Sequence, residues 1–71
     1  MVYTIEFRIK GLLTHYCQEA LVHNLENVKG IERVHLDFLS GQGTIFAAKA
    51  IDRVFITEMI DIMGYKIEWI H

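Results

Sequence analysis

The chain has 71 residues, a formal net charge of −2 and a hydrophobic fraction of 52%. That length allows one small domain, residues 1–71, able to bury only about 60% of its unfolded surface, and its slight acidity argues against nonspecific nucleic-acid binding. A single cysteine excludes an internal disulfide and fits a reducing, cytoplasmic setting; no run approaches the ~18 apolar residues of a membrane span, and no N-terminal stretch has the pattern of a secretion signal.

Val2 to Lys10 alternates, with Tyr3, Ile5, Phe7 and Ile9 on one face and Thr4, Glu6, Arg8 and Lys10 on the other. A period of two predicts a strand with one buried face, ended by Gly11. Thr14 is placed to cap a helix whose first turn holds His15, Tyr16 and Cys17. Cys17, Leu21, Leu25 and Val28 form its apolar stripe, and Gly30 is the expected stop. Alternation returns from Ile31 to Leu39, with Val34, Leu36 and Phe38 on one face. Ser40-Gly41-Gln42-Gly43 reads as a hairpin turn before a strand from Thr44 to Ala50, with Ile45 and Ala47 expected inward. Asp52 then caps a second helix, whose stripe takes Val54 or Phe55 with Ile56, Met59, Ile60 and Met63. Gly64 stops it, and Tyr65 to Ile70 forms a last short strand.

The order is strand, helix, strand, strand, helix, strand. Two right-handed crossovers place both helices on one face of a four-stranded antiparallel sheet, an α+β, ferredoxin-like βαββαβ sandwich.

With these elements placed, the chain resembles the heavy-metal-associated domain family of small copper chaperones and N-terminal modules of metal-transporting ATPases. That family carries Gly-Met-Thr-Cys-x-x-Cys after the first strand, a Gly-Val pair after the first helix and a closing Ile-x-x-x-Gly-Tyr. Gly11 matches the opening glycine, Cys17 the second cysteine, Gly30-Ile31 the Gly-Val pair, and Ile60 with Gly64-Tyr65 the ending. Val34-His35-Leu36-Asp37 matches the second strand. The sequence departs at the metal motif, where Leu12 and Leu13 replace Met-Thr and Thr14 replaces the first cysteine. In the family two thiolates hold one Cu(I) in near-linear geometry. A threonine hydroxyl is too hard a donor to stand in for one of them.

Cys17 has two readings. A thiol in the first turn of a helix has its thiolate favoured by the positive dipole end, and thiolate binds soft metals; equally, free cysteine serves as a small apolar core residue. His15, two positions earlier, offers an imidazole that suits Cu or Zn if it points the same way, and otherwise is a solvent-exposed histidine. Thr14 reads more readily as a helix cap beside the site than as a ligand. By resemblance Tyr65 lies beneath the metal loop, shielding it or donating its hydroxyl; on its own terms it is a core aromatic after a glycine stop. His23 falls on the polar side of the first helix, His35 on the open sheet face and His71 at the terminus.

The resemblance implies metal binding without catalysis: a soft ion, most readily Cu(I), with Zn(II), Hg(II) or no metal as alternatives. Cys17 would hold it, completed by His15 or by Cys17 of a second molecule in a metal-bridged homodimer. The implied partner is a metal-transporting ATPase or chaperone domain, and the implied place is the cytoplasm, without direct membrane contact. No nucleophile–base–acid set is visible, and the paired aromatics of RNA-binding sheets are missing. The other reading is a protein-interaction module that keeps the scaffold after losing the two-cysteine site.

Overall fold

The computed structural model describes residues 3–11, 15–37 and 39–70. The elements are β1 (Tyr3–Lys10), α1 (His15–Glu26), β2 (Ile31–Leu36), β3 (Gln42–Ala47), α2 (Arg53–Ile62) and β4 (Lys66–Trp69). The four strands form one antiparallel sheet in the order β2-β3-β1-β4, as the predicted βαββαβ order requires.

The period-two faces settle where the core lies. Ile5, Phe7 and Ile9 of β1, Val34 and Leu36 of β2 and Ile45 and Ala47 of β3 are buried against Leu21 and Leu25 of α1 and Ile56 and Ile60 of α2. Phe7 is completely enclosed, with the Trp69 ring tilted against it at 6.3 Å between centroids. The opposite sheet face is open, carrying Arg8 and Glu68 3.7 Å apart.

Several predicted boundaries shift. β2 ends at Leu36 rather than Leu39, β3 runs from Gln42 to Ala47 rather than from Thr44 to Ala50, and β4 covers Lys66–Trp69. The hairpin is therefore Asp37 to Gly41, closed by Asp37 N–H to the Gln42 carbonyl (2.9 Å) and Gly41 N–H to the Asp37 carbonyl (2.8 Å). Gly43 belongs to the sheet because Phe7 fills the space above it: a Cβ there would lie 2.5 Å from Phe7 Cζ and 2.7 Å from the His35 carbonyl. Helix α1 stops at Glu26, short of Gly30. Val54 and Phe55 are both exposed, so the α2 core stripe reduces to Ile56 and Ile60, with Met59 and Met63 at its margin. Asp52 caps α2 as expected, its Oδ1 accepting from the N–H groups of Val54 (3.0 Å) and Phe55 (3.2 Å).

Two α1 side chains reach over the outer edge of β2. Glu26 Oε2 accepts from the Val34 N–H at 3.1 Å, and Gln18 Nε2 donates to the Leu36 carbonyl at 2.7 Å. Among the described residues no helix is long and apolar enough to cross a membrane.

Candidate functional site

Three connections meet at one end of the sheet. β1 runs out through Lys10 to Gly11. The β2–β3 turn closes over the end of β1, where the Gly41 carbonyl accepts from the Ile9 N–H at 2.7 Å. The α2–β4 turn arrives from the other side.

That last turn is what delivers Tyr65. Gly64 takes φ +97°, a left-handed value that costs a glycine nothing. Its N–H bonds the Asp61 carbonyl at 3.0 Å, and the Tyr65 N–H bonds the Ile60 carbonyl at 3.1 Å. These two bonds form a Schellman motif, which satisfies the last helical carbonyls and turns the chain sharply. The Tyr65 ring consequently lies under Gly11, with Cδ1 3.4 Å from where a Cβ on that glycine would stand.

Cys17 is the third residue of α1 and is half-buried. No acidic side chain occupies the first turn, so nothing there opposes the positive helix end. The Tyr65 phenol lies within interaction range of the Cys17 thiol, in a contact of hydrogen-bond type. This contact raises the Tyr65 phenol above its ordinary pKa of 10.0, with smaller contributions from partial burial and from charge on Cys17. In such a contact the phenol O–H is the donor and the sulfur the acceptor.

The sign of the pH dependence follows. Tyr65 holds its proton more firmly folded than unfolded, so its contribution to stability is complete below about pH 10 and fades as the pH rises through its raised value. In an NMR titration the Tyr65 ring is expected to ionise above 10.0 in the wild type and to move back toward that value in Cys17→Ser. An identical midpoint in the two proteins would break the proposed link between ring and thiol.

Cys17 and Tyr65 thus lie at the same end of the sheet. The backbone of His15 opens α1, whereas its side chain and the whole of Thr14 fall outside the described residues, as do Leu12, Leu13, Phe38 and His71. His23 and His35 are exposed, on the outer side of α1 and on the open sheet face. Among the described residues no three His, Cys, Asp or Glu side chains converge as a metal cluster. Sequence reasoning passed over three exposed apolar side chains: Tyr16 beside Cys17, Leu39 in the β2–β3 turn and Ile62 at the end of α2. The signal available was that none of them falls on a core stripe.

No family model matches the sequence, and no curated protein does. The likeness lies in solved structures. The yeast copper transporter domain CCC2A superposes with a TM-score of 0.86 at 15% identity, covering 96% of this chain and 94% of that one. The CsoZ metallochaperone gives 0.83 at 24% identity, covering 96% and 99%. Oxidized MerP from Ralstonia metallidurans CH34 gives 0.83 at 18% identity and covers both chains completely. From its strand order, its helix layer and these superpositions together, the chain has the ferredoxin-like fold shared by such copper transporter and metallochaperone domains.

Proposed function

We propose that this protein is a variant heavy-metal-associated domain that binds a soft metal ion, Cu(I) foremost, as cargo through Cys17. The observation carrying this reading is a half-buried thiol, Cys17, in the first turn of α1, at the sheet end where the Tyr65 ring packs under Gly11. The fold supports it, since the same scaffold carries copper in CCC2A, whose structure has a Cu(I)-loaded state.

Cys17 supplies the soft donor, and Tyr65 orients it and stabilises its anion. His15 or the Cys17 of a second molecule completes the coordination. Transfer is ligand exchange: one metal–sulfur bond to the Cys17 thiolate forms as one to the donor's thiolate breaks, the freed donor thiolate takes up a proton from solvent, and the ion's oxidation state does not change. The partner is a metal-transporting ATPase or chaperone domain met in the cytoplasm, and no covalent catalysis is involved. Zn(II) and Hg(II) are the other ions this donor set accepts.

Stoichiometry tests the reading. Under anaerobic, reducing conditions, native mass spectrometry after addition of Cu(I), Zn(II) or Hg(II) is expected to show one ion per monomer for a Cys17–His15 site. One ion per two chains indicates a bridged pair. Absence of any bound ion would reject metal handling in favour of an interaction module.

A further inference from the structure

The two edges of the sheet are treated differently. In an antiparallel ladder, alternate residues direct their N–H and C=O toward the neighbouring strand and the others direct theirs away. On the β2 side, the bond between Asp37 and Gln42 fixes the parity, so Val34 and Leu36 face outward. Of their four outward backbone groups, the Val34 N–H is taken by Glu26 and the Leu36 carbonyl by Gln18 of α1. Side chains of α1 therefore cover part of that edge.

On the β4 side, the Ile70 N–H donates to the Glu6 carbonyl at 2.9 Å. The pairs Arg8–Glu68 and Lys10–Lys66 share that parity, which turns the backbone groups of Ile67 and Trp69 outward. Among the described residues no hydrogen bond meets them. Beside this edge runs a cavity of about 310 Å³ lined by Thr57, Glu58, Asp61, Tyr65, Lys66 and Ile67.

We infer that β4 is a self-association edge, where a second copy adds its own β4 antiparallel with Ile67 opposite the partner's Ile67. The argument is charge register. Only residues facing outward can exchange backbone bonds across a new pair, so allowed registers differ by steps that keep Ile67 and Trp69 in bonding positions. With Ile67 at the two-fold axis, each Lys66 stands opposite the partner's Glu68 on the open face. Shifting one way opposes Glu68 to the partner's Glu68; shifting the other way opposes Lys66 to the partner's Lys66. Opposite charges directly across a strand pair stabilise it and like charges destabilise it. The existing Lys66–Asp61 (2.6 Å) and Arg8–Glu68 (3.7 Å) pairs are largely exposed, so releasing Lys66 costs little. Arg8 remains beside Glu68 and adds to the match. The side chain of the incoming Ile67 enters the cavity along α2.

A short edge gives a weak dimer, resolved at protein concentrations on the order of a millimolar. Sedimentation equilibrium of the full chain, with chelator and reductant present, is expected to show a monomer–dimer equilibrium unaffected by Cys17→Ser. Lys66→Glu and Glu68→Lys are each expected to raise the dissociation constant about tenfold, through two reversed cross-strand pairs. The double exchange Lys66→Glu with Glu68→Lys restores opposite charges and is expected to recover dimerisation, which also controls for folding. A chain that stays monomeric throughout, a dimer indifferent to the charge exchanges, or one that disappears with the metal or with Cys17 would overturn the inference. Metal binding by the monomer is a separate result.

Discussion

Cys17→Ser is expected to reduce Cu(I) binding below what a competing Cu(I) probe can detect, while the fold persists. The substitution changes one atom at a half-buried position and leaves the fully enclosed core of Phe7, Leu21, Leu25, Ile45, Ile56 and Ile60 untouched. Surface or partly exposed changes of this kind usually alter stability by no more than about 0.5 kcal/mol. Ligand softness, in contrast, changes completely, because a hydroxyl is a hard and weakly acidic donor. Tyr65→Phe removes only the phenol that bonds the sulfur, and such supporting partners typically contribute about 10–100-fold in metal affinity. His15→Ala is expected to weaken binding if imidazole completes the site and to leave it unchanged if a second Cys17 does. Equal competition by wild type and Cys17→Ser would mean that the sulfur carries no metal.

Gly41→Ala is expected to be the most damaging small change in the chain. Gly41 has φ +74°, which an L side chain adopts at about 1–2 kcal/mol. A Cβ there would also collide with the Ile9 carbonyl, which is backbone and cannot swing aside. Relieving it moves the turn that bonds the end of β1, where Gly41 accepts from the Ile9 N–H. Overpacking of that kind adds about 1–3 kcal/mol. Together these approach half of the roughly 4–10 kcal/mol expected for a chain this size. Thermal or urea unfolding measures the loss. Because the turn caps the same sheet end as the Cys17 loop, metal affinity is expected to fall with it. A melting point within a degree or two of wild type would show that the turn relaxes without strain.

The architecture was legible because its signals are local. Alternation from Ile5 to Lys10 and at Val34, Leu36, Ile45 and Ala47, and the Asp52 cap, depend on neighbours within a few residues and lie where that pattern puts them, whereas Tyr3, expected on the buried face, is exposed at the start of β1, where the core no longer covers it. Strand ends were less legible. Gln42 and Gly43 look like turn residues in isolation, but ladder bonds and the Phe7 ring draw them into β3. Helix α1 breaks before Gly30 because the Val28 N–H turns to the Leu25 carbonyl three residues back and the Ile31 N–H to the Val28 carbonyl.

For the site, the residue types were readable and their relations were not. Composition and chain order name one thiol in a first helical turn and a tyrosine after a glycine stop, since both follow from position along the chain. That the phenol meets the sulfur from 48 positions further along the sequence depends on where the Schellman turn sets Tyr65 against the β1 end. The partial cover of the β2 edge likewise emerges only when α1 is laid beside the sheet, because a backbone group's partner is set by what folds against it. Patterning fixed the layers and their hydrophobic faces; three-dimensional closure decided which polar atoms found each other.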